Sequence, residues 1–380
     1  MKFSFMATTI TGFEDITSAE VKNLLNVETK PNHGRIFFEA GFDAVYKVNL
    51  GGRCIHKVFL ILTQTKFKKL EDLYKETKNI DYKWIISSNQ TFAVRVERHG
   101  KHSFTSIDAA AKIGQAVIDS YQSSTNIRLK VNLKNPDLEF YGFIKNENFI
   151  LSLNMTGESL HKRGYRVYQH PAALKPSLAC CLIRFCGWTP HQPFLDPMCG
   201  GGTIPIEAAL MAKNKPLNSF KREFAFKKLK IHDQNLYEKI KNFFSQKLLV
   251  KPKIYGVEVS PKHFQGAQAN VFSAGVVEDV NLLLGDVRKL QKYLDKDFKP
   301  EVVVVNLPYG IRSSRKSFLE KLYTDFLVSL KNVTDKAILG ALTSAKNEFK
   351  KALENVGVSL TEEKEVMHGN LKVTAFKCKV

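Results

Sequence analysis

An apolar run, EVVVV, ends on Asn306-Leu307-Pro308-Tyr309-Gly310. These residue types in this order could hold the exocyclic amino group of a nucleobase. Such a nitrogen is a poor nucleophile, because its lone pair is delocalised into the ring. Two acceptors gripping its hydrogens, with a stacking ring, would set it in line with an electrophilic carbon and favour its tetrahedral form. Asn306 offers a side-chain oxygen, Leu307 a backbone carbonyl and Tyr309 an aromatic face. Pro308 restricts Leu307 to extended backbone and so fixes where that carbonyl points. The proton can leave after attack, so no strong base is required and none is evident. Arg312, just beyond, reads as a base or phosphate contact or as a plain surface arginine.

The element that would position an electrophile is PFLDPMCGGGTIPIEAAL, residues 193–210. It reads as strand, tight turn and helix. Three glycines remove every Cβ from the turn, letting backbone approach a ligand and adopt positive φ. A helix opening at Thr203 would aim free N–H groups at that turn, and Pro205 suits an early helical position. The dinucleotide fingerprint fails, since counting from Gly200 its last glycine is Pro205, and no Gly-Lys-Ser/Thr follows for a P-loop. Asp196 before the glycines suits a cationic amino group better than a pyrophosphate. That favours S-adenosylmethionine over a bland core turn. Glu258 ends KIYGVEV, where a carboxylate can accept both ribose hydroxyls, and Asp286 ends NLLLGD, where an acid can accept from adenine. Acids often end strands, but three at successive strand ends strengthen the reading.

The chain has 380 residues and a net charge of +20, which points to a polyanionic partner. No apolar run is long enough for a membrane span, and the first residues lack the apolar centre of a signal peptide. The expectation is a cytoplasmic protein without membrane contact, a monomer in the simplest case. Six cysteines form no C-x-x-C pair. Cys180, Cys181 and Cys186 lie in an apolar helical stretch and read as buried thiols, with no metal site. Cys199 reads as a wall of the cofactor turn rather than a nucleophile.

Residues 1–64 alternate strand-like and helical stretches as a small ferredoxin-like α+β unit would, and 65–155 repeat the pattern in kind. Arg98 and Lys101 lie in a basic loop that could contact phosphate or simply be solvated. Residues 156–170 form a polar connector that enters a helix at Pro171. Residues 171–380 alternate α and β as a doubly wound sheet does, with a final hairpin about Gly369-Asn370. Residues 213–253 interrupt that alternation with a net charge of +9 and interleaved aromatics (Phe220, Phe224, Phe226, Tyr237, Phe243, Phe244). Part of this is an apolar helix stripe, but the charge favours a nucleic-acid surface, with Lys221 and Arg222 as contacts.

DPMCGGGT with NLPYG, preceded by GESLHKRGYR and HPAALKPSLA, resembles the THUMP-domain RNA guanine-N2 methyltransferases. The resemblance implies an α/β, Rossmann-like S-adenosylmethionine-dependent methyltransferase domain with a C-terminal antiparallel hairpin. Ferredoxin-like and THUMP domains would precede it, the latter docking on the tRNA 3′ end. His170, Pro171, Ala172 and Leu174 would border the cofactor. Asp196, Gly200, Glu258 and Asp286 would bind it, with Met198, Cys199, Gly202, Thr203, Val259, Val287 and Asn306 completing the site. Asn306, Leu307, Pro308 and Tyr309 would carry the target amine, and Arg163 of the connector would join the RNA contacts. Leu307 departs from the Pro-Pro form of many members and is similar to the tRNA branch that methylates guanosine 6 in the acceptor stem. That guanine is paired and must be flipped out, with the basic insertion as the clamp. A ribosomal guanine or a DNA adenine amine would be gripped by the same logic. A catalytically idle RNA-binding protein would also keep the fold.

Overall fold

The computed structural model describes residues 2–220, 222–246, 251–310 and 316–380. The N-terminal half holds strands β1 (Phe3–Thr9), β2 (Thr29–Asn32), β3 (Arg35–Ala40), β4 (Ile55–Lys66), β5 (Thr91–His99), β6 (Lys130–Val131), β7 (Leu138–Lys145) and β8 (Asn148–Asn154). Helices α1 (Glu14–Leu25), α2 (Asp43–Gly51), α3 (Leu70–Lys78) and α4 (Ser106–Thr125) pack on them. All eight strands form one sheet in the order β2-β3-β1-β4-β8-β7-β5-β6. β4 makes this continuous: its first half pairs with β1, its second half with β8, and a register shift at Ile61/Thr63 separates residues of the latter ladder. The two α+β units read from the sequence therefore share a backbone ladder rather than merely touching.

The C-terminal half holds helices α5 (Pro176–Phe185), α6 (Thr203–Ala212), α7 (Gln234–Phe244), α8 (Pro261–Ala274), α9 (Lys316–Lys331) and α10 (Lys346–Val356). Its strands are β9 (Phe194–Asp196), β10 (Ile254–Glu258), β11 (Val280–Leu284), β12 (Val302–Asn306), β13 (Ile338–Thr343), β14 (Ser359–His368) and β15 (Leu371–Lys379), ordered β11-β10-β9-β12-β13-β15-β14. β9 to β13 run parallel, while β15 is antiparallel to β13 and pairs with β14 as the predicted hairpin. The chain proceeds from β9 outward to β11, then crosses back to β12. The strand order thus reverses at β9, the place where an open α/β sheet leaves a crevice for ligand. Val302 to Val305 are all buried, as a strand covered on both faces requires.

Two expectations are corrected. The helix after the connector starts at Pro176, not Pro171. A helix begun at Pro171 would meet Pro176 in its interior, where the ring lacks a donor and clashes with the preceding turn. Residues 171 and 172 instead form a turn, with the Ala172 N–H donating to Nδ1 of His170 at 3.1 Å.

The second correction concerns the insertion. Phe224, Phe226, Tyr237 and Phe244 are buried in the core of the N-terminal half, and the Tyr46 ring of α2 lies 5.0 Å from Phe226 and 5.7 Å from Tyr237. The Phe226 N–H donates to the Met155 carbonyl just past β8, and the Asp233 N–H to the Tyr46 hydroxyl. These rings remove water from a joint between the two halves and do not present a stacking surface to nucleic acid. Phe243 alone of the aromatics whose burial is described here stays exposed.

Candidate active site

A cleft of about 900 Å³ opens at the carboxyl ends of β9, β10 and β12. The triple-glycine turn and the Asn306–Tyr309 turn both line it, so the two constellations read separately from the sequence meet in one place.

Asp196 is almost completely buried at the end of β9, where its Oδ1 accepts the Met198 N–H at 3.2 Å. Burial pushes its carboxyl well above the usual carboxylate range, the Met198 N–H opposes this, and the nearby Glu258 charge adds to it. A carboxylate so placed is most stable beside a cation. Glu258 is clamped at both oxygens, one accepting the Gly200 N–H at 2.9 Å and the other the Ser260 N–H at 2.8 Å. That fixes its orientation and ties β10 to the glycine turn. Gly200 (φ +54°) and Gly202 (φ +79°) occupy the left-handed region. Gly202 does not line the cleft; it caps α6 and packs against Ala267 of α8, where a Cβ would stand 3.4 Å away.

Thr203 lines the cleft, but its hydroxyl accepts from Arg166 at 3.0 Å, and the same guanidinium nitrogen donates to the Leu174 carbonyl at 2.8 Å. The connector is thereby stapled to the start of α6. His170 packs over Gly200 and Gly201, and Pro171, Ala172 and Leu174 follow it along the wall. Cys199 is buried, with its thiol pushed up by burial and then by the Asp196 and Glu258 charges. It is a wall and not a thiolate nucleophile. Met198, Val259 and Val287 also line the cleft. Asp286 lies there too, held below the usual carboxylate range chiefly by Arg288, whose guanidinium grips it at 2.6–3.0 Å. An adenine amine would share that carboxylate with Arg288.

The Asn306–Tyr309 turn is braced from behind. The Leu307 N–H continues the ladder to the Leu342 carbonyl at 3.0 Å, the Tyr323 hydroxyl donates to the Pro308 carbonyl, and Ser344 donates to that of Tyr309. The Tyr309 hydroxyl donates to Oδ1 of Asn306 at 2.8 Å and lies 3.3 Å from Nδ1 of His368. His368, at the end of β14, was missed by sequence reasoning, as were Arg288, Phe318, Leu322 and Leu371, which also line the cleft. The Gly369-Asn370 turn signal located the hairpin but carried no information that its end reaches β12.

The predicted RNA contacts separate. Lys101 is exposed. Arg98 lies not in the same loop but near the end of β5, where it donates to the Gly100 carbonyl at 3.2 Å and sits 3.0 Å from Nδ1 of His102. Arg163 is corrected: its side chain is 1% exposed and pairs with the fully buried Glu207 of α6 at 3.3 Å. It holds the connector against α6 and has no surface to offer RNA. Arg222 donates to the carbonyls of Glu158, Ser159 and Lys162, so its guanidinium is largely spent on bracing the connector. Lys221 and Arg312 lie outside the described residues. Among the described residues no group of three or more His, Cys, Asp or Glu is placed to hold a metal, and no helix is long and apolar enough to cross a membrane.

The donor set fits S-adenosylmethionine. A buried carboxylate awaits a cation, a second carboxylate is oriented by two backbone N–H groups, and apolar walls suit a purine. Comparison with known proteins agrees. Residues 163–374 match the RMKL-like methyltransferase domain, residues 67–154 the THUMP domain and residues 4–59 the RlmL ferredoxin-like domain. The tRNA (guanine(6)-N2)-methyltransferase of Methanocaldococcus jannaschii is 36% identical over 98% of both chains, and that of Archaeoglobus fulgidus 35% over 98% of this chain and 91% of its own. The ribosomal RNA large subunit methyltransferase K/L of Vibrio parahaemolyticus is 30% identical, over 86% of this chain but 47% of its own. In fold, TrmN from Thermus thermophilus superposes with a TM-score of 0.76 at 21% identity, covering 100% of this chain and 99% of its own. A protein solved in complex with SAH does so with a TM-score of 0.86 at 22% identity, covering 99% of this chain and 97% of its own. With a ferredoxin-like domain, a THUMP domain and an S-adenosylmethionine cleft in one chain, this protein belongs to the RMKL-like methyltransferase family.

Proposed function

We propose that this protein transfers a methyl group from S-adenosylmethionine to the exocyclic N2 of guanosine 6 in the acceptor stem of tRNA. The observation that carries the reading is the convergence of the Asn306–Tyr309 turn and the Asp196/Glu258 pair on one cleft. Relatives named for guanosine-6 methylation, alike over nearly the whole chain, support the choice of substrate.

When bound, the cofactor supplies an electrophilic methyl on a sulfonium. Asp196 takes its amino group, Glu258 its ribose hydroxyls and Asp286, shared with Arg288, its adenine amine. The guanine leaves its pair, at a cost of a few kcal/mol, and enters the cleft beside Tyr309. Oδ1 of Asn306 and the Leu307 carbonyl accept from the amine's two hydrogens and turn its lone pair toward the methyl. Bonds from Leu342, Tyr323 and Ser344 hold the backbone of the turn, and with it the Leu307 carbonyl, in place. The THUMP domain holds the tRNA 3′ end, with Lys101 and Arg98 among its contacts.

Incubation with labelled methyl donor and tRNA, then digestion to nucleosides, is expected to yield N2-methylguanosine from position 6. Asn306→Ala should abolish that product while leaving donor affinity nearly unchanged. A comparable loss of donor binding would remove Asn306 from the amine-gripping role. Product on adenosine would refute the guanine assignment.

A further inference from the structure

His368 is set to control the oxygen that grips the amine, and the argument rests on the guanine reading above. The Tyr309 hydroxyl carries one proton and stands between two acceptors, Oδ1 of Asn306 at 2.8 Å and Nδ1 of His368 at 3.3 Å. Here the shorter contact is to Asn306. That amide oxygen is the one that must accept from the base, so a phenolic proton aimed at it competes with substrate. The imidazole supplies the alternative. In the tautomer with its proton on Nε2, the neutral ring turns the Nδ1 lone pair toward Tyr309. Burial, then the charge of Lys175, holds His368 below the usual histidine range, which keeps the ring neutral.

We propose that His368 is a positioning residue: as the guanine amine arrives, the Tyr309 O–H rotates from Asn306 Oδ1 to His368 Nδ1, freeing the amide oxygen while the phenol ring stays in place. No covalent bond changes; the proton stays on the phenol oxygen. The alternative, a swing of the whole tyrosine, is opposed by the bonds that hold the carbonyls of Pro308 and Tyr309. Without the imidazole, releasing Asn306 would leave a largely buried O–H unpaired, which is costly.

The test is a double-mutant cycle on kcat/KM for tRNA under saturating donor. His368→Leu should lose on the order of tenfold, with donor affinity and melting temperature unchanged. His368→Asn should recover most of it, because the asparagine Oδ1 stands the same two bonds from Cβ as Nδ1. Tyr309→Phe removes the competing proton, so adding His368→Leu to it should cost nothing further. Wild-type rates in His368→Leu, or a loss that persists undiminished in the Tyr309→Phe background, overturn the inference. If the unaltered protein leaves tRNA guanine unmethylated, the functional reading fails and takes this one with it.

Discussion

Arg163→Met tests whether the connector arginine serves the fold or the RNA. Its guanidinium is 1% exposed and Glu207 is fully buried. Arg163 also donates to the carbonyls of Leu160 and Arg53, both at 2.7 Å, while Glu207 accepts from the Tyr165 hydroxyl at 3.0 Å and from the Cys180 thiol at 3.0 Å. Methionine fills much of the volume but strands a buried carboxylate and two carbonyls. Breaking a buried pair from one side costs about 3–5 kcal/mol. For a catalytic domain of this size that is a drop of roughly 6–20 °C in its melting temperature. Arg163→Met with Glu207→Gln removes the stranded charge yet keeps an acceptor for Tyr165, and should recover at least about 1 kcal/mol of the loss. Calorimetric melting reads stability, and tRNA affinity is measured well below both transitions. A melting temperature within ~2 °C of wild type, joined to a clear loss of tRNA affinity, would refute the burial argument and restore Arg163 as an RNA contact.

Two other outcomes are expected. Burial lifts the Asp196 carboxyl, so between its unfolded and folded pKa values the folded chain holds a proton that the unfolded chain has lost, and stability falls as pH rises through that window. Asp196→Asn should therefore melt higher than wild type at neutral pH without donor, yet bind donor weaker by about 1.5–3 kcal/mol, roughly ten- to hundredfold, and with a flatter pH dependence; a lower melting temperature would contradict this. Lys101→Ala should weaken tRNA binding at low salt and reduce the slope of log affinity against log salt by about one; an unchanged slope would remove Lys101 from the phosphate contacts.

The readable parts of the site were those whose cause lies within a few residues. A strand-ending acid before three glycines, and an asparagine before Leu-Pro-Tyr, are local backbone devices, so the places of Asp196, Gly200 and Asn306 at strand ends were legible in advance, and the structure brings them to one cleft. The parallel order with its final hairpin was likewise legible, because a buried strand must be apolar throughout and a hairpin needs its turn. Arg222 and the aromatics of 213–253 look alike in sequence whether they face RNA or a domain joint. Charge and ring content describe a surface only once it is known to be one.

By itself, then, the sequence determined the local geometries: left-handed glycines at the triple-glycine turn, carboxylates at strand ends, and a backbone carbonyl stiffened by proline. Tertiary structure alone decided which polar groups lost their water. It buried Arg163 on Glu207, 44 residues away, and brought His368 within reach of Tyr309 across 59. Both depend on sheet order and on packing between segments far apart in the chain, and burial is a property of the assembled chain that no short stretch of it encodes.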